Sequence, residues 1–279
     1  MTQAPYSVLM SLYAREKPEY LRQSLDSMLS QTVPPSEIVM VKDGPLTQGL
    51  EAVLDEYDDA WPDMFKFVSY GENRGLGYAL HQGMLTCSNE IVARMDTDDI
   101  AAPDRMEKQL ALIEDGLDMV GSQVVEFIES PDKPIAITDL PEGTDAIGAY
   151  SKRRNPFRHP SMSFKRSMVL KAGNYSSEFL FFEDWDLFNR MLACGCRADN
   201  IDEPLVAMRV SEDFYARRGG VEYLKYARAF KKAQVKRGYF SKADYYTSFV
   251  PHAIVCLMPN AARSLIYRLV LRRDGGLHE

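Results

Sequence analysis

The sequence predicts an α/β protein in which helices flank a mainly parallel sheet, with a helical extension at the C-terminus. Short apolar segments alternate with segments whose apolar residues recur at helical spacing through residues 6–99, and such alternation is typical of parallel strands joined by crossover helices. The charge is also unevenly divided: residues 221–279 hold 11 Lys or Arg and 4 Asp or Glu, whereas residues 1–220 hold 22 and 36. We therefore predict an acidic domain over 1–220, divided at residue 115, and a basic extension over 221–279.

Composition excludes several classes of protein. With 279 residues, 46% of them hydrophobic, the chain can bury a sizeable core. No apolar run approaches the roughly 18 residues that a membrane-spanning helix needs, and residues 1–5 lead into a strand without a secretory signal, so we expect a cytoplasmic protein. The acidic charge of the first 220 residues argues against nucleic-acid binding.

The elements follow in a regular order. Strands are expected at residues 6–13, 37–41, 65–69 and 91–95, and helices at 18–33, around 50–57, at 78–86 and from Pro103 onward. Later strands are expected at 118–129 and 162–165, and later helices through 187–191, over 223–237 and within 254–271. The first strand is apolar throughout, as is typical of a strand that is buried on both faces. Pro34 and Pro35 end the first helix.

Three carboxylates follow the fourth strand, at Asp96, Asp98 and Asp99. Carboxylates this close repel one another, and a hard divalent cation with oxygen ligands would offset that repulsion. A second interpretation is an acidic turn that caps the next helix, because Asp is favoured at helix starts. For Asp99 in particular, assistance to a metal and capping of the helix at Pro103 both remain open.

Four predicted strands end in polar or aromatic residues that could form one site. Tyr13, Asp43, the loop 73–77 and the acidic stretch 96–99 each follow a strand. Parallel sheets bind ligands at the carboxyl ends of their strands, so we expect these four segments to meet at one crevice. Individually, Tyr13 could be a core aromatic, Asp43 a turn former and the loop 73–77 a hinge.

This ordered series of motifs resembles family 2 glycosyltransferases of the GT-A fold across roughly residues 5–215. The resemblance rests on Glu-Ile-Val-Met-Val-Lys-Asp-Gly at 37–44, Asn-Arg-Gly-Leu-Gly at 73–77 and Arg-Met-Asp-Thr-Asp-Asp at 94–99, which matches the Asp-X-Asp motif. The sequences at 42–47 and 155–161 are similar to bacterial exopolysaccharide and amylovoran-type members. Lys42 departs from the pattern, because many relatives have Asp there.

The resemblance implies a donor site for a UDP-sugar. Asp98, helped by Asp96, would hold Mg²⁺ or Mn²⁺, which stabilises a departing diphosphate. Tyr13 would stack on the nucleobase, Asp43 would accept a hydrogen bond from its imide N–H, and Asn73 and Gly75 would belong to the donor loop.

Two arginines, Arg217 and Arg218, precede Gly219 and Gly220. Guanidinium groups grip phosphate oxygens in pairs of hydrogen bonds, so this segment could be a loop that closes on the diphosphate. A solvated flank of the following helix is an equal alternative.

The acceptor half is expected in residues 116–220. Glu183 and Asp184 match the family's Glu-Asp motif, and apolar residues beside them would raise a carboxyl pKa toward values that suit proton transfer. Inversion at the anomeric carbon needs one base, for which Asp184 is the candidate, with Glu183 positioning it. Both residues could instead cap a helix. The saccharide or lipid-linked acceptor is expected beside His159 and Trp185, although His159 could also be a satisfied loop residue.

Residues 252–273 combine apolar residues with four arginines. Such a segment can lie at the cytoplasmic face of an anionic membrane or pack on the catalytic domain.

Neither membrane spans nor a Gln-X-X-Arg-Trp signature occurs, which favours a single-addition enzyme in surface polysaccharide synthesis over a polymerase. The alternative functions are a sugar nucleotidyltransferase, whose Gly-rich first loop is missing here, and a non-catalytic sugar- or partner-binding module.

Overall fold

The structure is a computed structural model that describes residues 4–211 and 219–259, with the backbone of 272 and 273. The described strands are β1 (Tyr6–Leu12), β2 (Glu37–Lys42), β3 (Phe65–Ser69), β4 (Ile91–Arg94), β5 (Ile100–Ala101), β6 (Met119–Phe127), β7 (Ala136–Thr138), β8 (Ser163–Lys165), β9 (Ala198–Arg209) and β10 (Arg272–Arg273). The described helices are α1 (Pro18–Leu29), α2 (Gln48–Ala60), α3 (Leu76–Thr86), α4 (Arg105–Glu114), α5 (Thr144–Ser151), α6 (Arg166–Lys171), α7 (Glu183–Ala193), α8 (Gly220–Lys236) and α9 (Lys242–Leu257).

The described strands form one sheet with the order β10-β7-β6-β8-β4-β1-β2-β3, and β9 pairs with β5 and β6. Strand β1 runs parallel to β2 and β4, and β2 runs parallel to β3, which confirms the predicted parallel arrangement of the first half. Strand β8 then inserts antiparallel between β4 and β6. The first four strands therefore end at one edge, and the later half of the chain extends the sheet beyond β4.

Burial on both faces of the sheet explains the uniformly apolar first strands. Val8 and Met10 pack with α1 and α2 in one core cluster, whereas the intervening Leu9 packs with α3 and α7 in a second cluster. Alternate residues of a strand point to opposite faces, so both sets must be apolar. Helix α2 buries the four residues that its spacing predicts, Leu50, Val53, Leu54 and Tyr57.

The helix after the acidic stretch begins later than predicted. Helix α4 starts at Arg105, with Asp104 at its N-cap, so the predicted start at Pro103 is wrong by two residues. The Pro103 carbonyl instead accepts a hydrogen bond of 2.8 Å from the backbone N–H of Thr32. Pro103 therefore lies in the connection that ties β5 to the end of α1.

The helical extension packs on α7 through an aromatic cluster. The rings of Phe182 and Phe230 stack with centroids 5.0 Å apart, and the Trp185 ring lies 4.9 Å from that of Phe230. The buried Asp186 carboxylate accepts a 2.8 Å hydrogen bond from Gln234 of α8. These contacts join the extension to the acceptor half. The domain boundary at residue 220 stays a prediction, and residues 260–271 of the predicted tail helix lie outside the described residues.

Candidate active site

The three carboxylates after β4 form a compact cluster. One oxygen from each of Asp96, Asp98 and Asp99 lies within 4.8 Å of the others. Burial, followed by the charges of Asp96 and Glu16, raises the pKa of Asp98 to about 7. The pKa of Asp99 is raised well above its usual value, first by burial and then by Asp98. The three carboxylates therefore concentrate negative charge that a hard divalent cation would offset.

Asp99 does not cap the following helix, so that interpretation is wrong. Its Oδ1 accepts a 2.7 Å hydrogen bond from the backbone N–H of Arg209, at the end of β9. Its Oδ2 is buried and has no hydrogen-bond partner among the described residues. An orphaned carboxylate oxygen beside two further carboxylates fits a hard divalent cation, which prefers oxygen ligands.

The Glu183–Asp184 pair lies in the first turn of α7, where the helix dipole favours negative charge. Phe182 is the N-cap residue and makes no side-chain cap. The Asp184 carboxylate accepts hydrogen bonds from Nδ2 of Asn155 at 2.8 Å and from the backbone N–H of Trp185 at 2.7 Å. Burial, with a contribution from Asp184, raises the pKa of Glu183 to about 7.

The acidic cluster and the Glu183–Asp184 pair open onto one cavity of about 1090 Å³. The predicted site residues that line it are Tyr13, Asp96, Asp98, His159, Glu183, Asp184 and Trp185. Residues that are far apart in sequence thus meet where the two halves of the sheet join. The arrangement can hold a cation on one wall and a proton acceptor on another.

Asp43, Asn73 and Gly75 contact one another, but none of the three lines the cavity that Tyr13 and the acidic cluster line, and the structure gives Asp43 a different role. Its buried carboxylate accepts hydrogen bonds from Tyr70 Oη at 2.9 Å, Asn73 Nδ2 at 2.9 Å and the backbone N–H groups of Arg74 and Gly75 at 2.7 and 3.0 Å. Four donors occupy the lone pairs of the two carboxylate oxygens. The predicted contact with a base N–H is therefore not supported, and Asp43 instead holds the 73–75 loop against the end of β2.

Gly44 permits this close approach, and Gly75 permits the turn into α3. Gly44 has φ +85°, and a Cβ there would lie 2.6 Å from the backbone N of Asn73. Gly75 has φ +83° and precedes α3. The left-handed conformation favours glycine at both positions.

Comparison with known proteins identifies the family. The family model described as glycosyl transferase family 2 matches residues 7–173. This chain belongs to glycosyltransferase family 2. The match covers the acidic cluster and more than half of the chain, so the enzyme is a glycosyltransferase, and the family assignment does not favour the nucleotidyltransferase or the binding module.

This glycosyltransferase is similar to curated relatives and to a solved structure over most of its length. It is 35% identical over 275 residues to the UDP-Gal:alpha-D-GlcNAc-diphosphoundecaprenol beta-1,3-galactosyltransferase of Escherichia coli, covering 96% of this chain and 97% of that one. It is 35% identical over 266 residues to the amylovoran biosynthesis glycosyltransferase AmsE of Erwinia amylovora, covering 94% of this chain and 97% of that one. The structure of the mannosyltransferase PcManGT from Pyrobaculum calidifontis, in complex with GDP-Man and Mn²⁺, is similar at a TM-score of 0.65 and 16% identity, covering 96% of this chain and 76% of that one. The glycosyltransferase therefore has the GT-A fold.

The aromatic and imidazole candidates of this glycosyltransferase occupy different environments. Tyr13 follows β1 and is 42% exposed. His159 is buried, and its Nε2 is hydrogen-bonded to Tyr175 Oη at 2.8 Å; burial holds its pKa well below the usual value. The Trp185 indole N–H donates to the Ser151 carbonyl at 2.8 Å. Protein groups therefore partner Nε2 of His159 and the indole N–H of Trp185, and the acceptor contacts of both residues stay predictions.

Some predicted features of the glycosyltransferase cannot be placed. Arg217, Arg218 and residues 260–271 lie outside the described residues. Among the helices that the structure describes, none combines the length and apolar character that crossing a membrane requires.

Two residues that the sequence reasoning did not assign to the site, Arg94 and Asn155, line the cavity. Both lie inside motifs quoted for the family resemblance, which is the signal that could have identified them.

Proposed function

We propose that this glycosyltransferase transfers a sugar with inversion from a UDP-sugar to a saccharide or lipid-linked acceptor in bacterial surface polysaccharide synthesis. The observation that carries the proposal is the shared cavity, which Asp98 and Asp184 both line. Displacement at an anomeric carbon needs leaving-group stabilisation on one side and a single base on the other. Two acidic groups on one cavity fit these two tasks.

Asp98 and Asp96 would hold a Mn²⁺ or Mg²⁺ ion, with Asp99 Oδ2 beside them. When bound, such an ion acts as a Lewis acid that stabilises the charge developing on the diphosphate leaving group. Support comes from the crowded carboxylates and the orphaned oxygen of Asp99. The solved mannosyltransferase also contains Mn²⁺.

Asp184 would accept the proton of the acceptor hydroxyl as that oxygen attacks the anomeric carbon. The hydrogen bonds from Asn155 and from the Trp185 backbone fix the orientation of its carboxylate. Hydrogen bonds to the charged form also favour a carboxylate that can accept a proton. Glu183, buried beside it, would position Asp184 or the acceptor.

The donor and acceptor classes follow from relatives that cover nearly the whole chain. The Escherichia coli relative is named for UDP-Gal and a diphosphoundecaprenol-linked acceptor, and the Erwinia relative for amylovoran biosynthesis. The exposed ring of Tyr13 at the cavity would stack on the uracil base. Arg217 and Arg218 would grip the diphosphate from the segment before α8.

A panel of UDP-sugars tests the function. We expect the purified protein to hydrolyse at least one UDP-sugar slowly and saturably with Mn²⁺ or Mg²⁺, and to lose this activity in EDTA, because the leaving diphosphate needs the cation. Released UDP is the readout, and restoring Mn²⁺ after EDTA is the control. Hydrolysis that EDTA does not change would contradict metal dependence. Binding without turnover for every donor, even with a saccharide acceptor, would favour a binding module.

We further propose that the enzyme attaches peripherally to the cytoplasmic face of the inner membrane through residues 252–273. Helix α9, which extends into this segment, carries an exposed apolar row formed by Tyr246, Val250, Ile254 and Leu257, which are 48–63% exposed; Ile254 and Leu257 lie within the segment itself. The roughly opposite face of α9 lines the catalytic cavity with Ser248, His252 and Val255. A membrane under the exposed row would place a lipid-linked acceptor near the cavity, and Arg263 and Arg268 would meet anionic headgroups. Arg272 and Arg273 form β10, which pairs with β7 in the sheet.

Vesicle flotation tests this attachment. We expect the wild-type enzyme to float with phosphatidylglycerol vesicles, and Ile254→Glu/Leu257→Glu to partition about a hundredfold more weakly or more, because burying each of these two side chains contributes about 1.5–3 kcal/mol. Deleting residues 252–279 should abolish flotation. Leu85→Glu is the matched control, since Leu85 of α3 is 50% exposed but lies on another helix. Equal flotation of all variants would contradict the proposed attachment.

A further inference from the structure

A buried guanidinium with unused donors lies at the cavity. Arg94 is the last residue of β4, is 1% exposed and lines the cavity. Its Nη2 is paired with the Asp96 carboxylate. Its Nε and Nη1 are buried and have no hydrogen-bond acceptor among the described residues. Buried donors of a charged group are costly to leave unpaired, so these two nitrogens call for an acceptor that a ligand would bring.

A neighbouring arginine shows what a purely structural role looks like in the same core. Arg105 of α4 is also fully buried. Its Nε donates to Gln109 Oε1 at 3.1 Å, its Nη2 donates to the carbonyls of Arg94 and Met162 at 2.9 and 3.2 Å, and its Nη1 contacts the sulfur of Met95. Every nitrogen of that guanidinium has a protein partner. Arg190 of α7 also has a buried Nη2 without a partner among the described residues, but Arg190 does not line the cavity, whereas Arg94 does.

The position of Arg94 identifies what would occupy its free donors. Its charge acts on Asp96, Asp99 and Tyr175, and Tyr175 is within electrostatic reach of both Asp96 and Asp184. Arg94 is thus paired with one proposed cation ligand and lines the same cavity as the proposed base. In the proposed reaction the sugar ring must lie there, because its anomeric carbon stands between the leaving diphosphate and the acceptor.

The geometry of the guanidinium favours hydroxyl oxygens. Nε and Nη1 do not share an edge of the guanidinium plane, so these two unpaired nitrogens cannot both bind one phosphate through a single edge. Nη2 belongs to both two-nitrogen edges and already gives one of its two N–H groups to Asp96. Bidentate recognition of one phosphate uses a shared edge. Separate donors suit two separate neutral oxygens, such as two hydroxyls of one sugar ring.

We propose that Arg94 binds hydroxyl oxygens of the transferred sugar through Nε and Nη1 and thereby contributes to donor-sugar selection. The inference rests on the proposed function and deepens it, since it assigns a sugar contact to a residue outside the Asp-X-Asp and Glu-Asp motifs. A donor sugar whose hydroxyls reach Arg94 relieves the unpaired donors. A sugar without them leaves buried donors unpaired, which is the basis of strong discrimination.

Calorimetric titration with Mn²⁺ tests the inference, with UDP and the UDP-sugar that the panel selects as ligands. Arg94→Lys keeps the charge beside Asp96 but removes the guanidinium donors. We expect it to weaken UDP-sugar binding about tenfold or more, as for a lost charged hydrogen bond, and to change UDP binding less than about twofold. Asp96→Asn, a change in the acidic cluster itself, should weaken both ligands together.

Two outcomes would overturn the inference. Equal weakening of UDP and UDP-sugar by Arg94→Lys would mean that Arg94 serves only the acidic cluster, and unchanged binding of both would mean that it is not a ligand. Failure of the wild-type protein to bind UDP with Mn²⁺ would overturn the proposed function itself. Arg105→Lys, which alters a fully paired arginine, is the control and should not separate the two ligands.

Monodeoxy donors provide a second measurement that does not need a folded variant. At least one monodeoxy UDP-sugar should bind the wild-type enzyme about tenfold more weakly than its parent. If Arg94→Lys folds, as its thermal unfolding will report, the same analogue should lose no further affinity there. A complete set of monodeoxy donors that all bind the wild type like the parent would overturn the inference.

Discussion

Replacing Asp184 by Asn is expected to abolish sugar transfer while leaving donor binding nearly intact. Asn has almost the shape of Asp and can still accept a hydrogen bond from the Trp185 backbone, but it cannot take a proton from the acceptor hydroxyl. Loss of a general base typically costs about 10²–10⁴-fold in rate. The measurement is kcat for transfer to a saccharide acceptor, with the dissociation constant of the UDP-sugar measured beside it.

Asn155→Ala is the matched variant for this prediction. It keeps the Asp184 carboxylate and removes the 2.8 Å hydrogen bond that orients it. We expect a smaller loss of kcat than in Asp184→Asn, again with donor binding unchanged. Transfer by Asp184→Asn at a rate close to that of the wild type would remove Asp184 from the role of base.

Replacing Asp98 by Ala is expected to abolish metal-dependent donor binding and to lower kcat/KM by on the order of 10²–10³-fold, because the stabilisation of the leaving diphosphate is lost. Mn²⁺ binding can be followed by electron paramagnetic resonance, and donor binding by titration with UDP. Glu114→Ala, in an exposed carboxylate at the end of α4, is the control and should bind Mn²⁺ and UDP normally. Unchanged Mn²⁺ binding in Asp98→Ala would contradict the assigned cation site.

The same variant has a stability signature in metal-free protein. Burial and Asp96 raise the folded-state pKa of Asp98 from 3.8 to about 7, so between these values the folded state binds more protons than the unfolded state. The free energy of unfolding should therefore fall as pH rises from about 4 to about 7. Asp98→Ala removes this contribution and should flatten the decline, which unfolding in urea with EDTA at several pH values will measure. A decline as steep as that of the wild type would contradict the raised pKa.

Local pattern was sufficient to predict the strands of the first half of the fold, but not its helix ends: α1 ends at Leu29, well before Pro34. The strands at 37–41 and 65–69 are confirmed within one residue by β2 and β3, because a strand buried on both faces has an unmistakable apolar run. Where polar residues could serve either helix or loop, the pattern was less informative. Pro103 suits a helix start, but its carbonyl is needed by Thr32, which is a tertiary contact that spacing does not encode.

The sequence predicted several residues of the site, but it did not predict the hydrogen-bond partners of those residues. The motifs indicated Asp98 and Asp184, and the sheet topology indicated that they could meet. The sequence could not show that four donors occupy the Asp43 carboxylate, or that Arg94 retains two unpaired nitrogens, since both depend on contacts between distant segments. The burial of Lys231 of α8 is a further contact between distant segments: the residue is fully buried, with its Nζ 4.9 Å from the centre of the Trp185 ring.

Anomalous diffraction from crystals soaked with Mn²⁺ and a UDP-sugar tests the central claim most directly. The account predicts a Mn²⁺ peak beside Asp98 and Asp96, with the anomeric carbon in the shared cavity and the Asp184 carboxylate on the face opposite the diphosphate. A Mn²⁺ peak away from Asp98, or an anomeric carbon whose open face is turned away from Asp184, would contradict it.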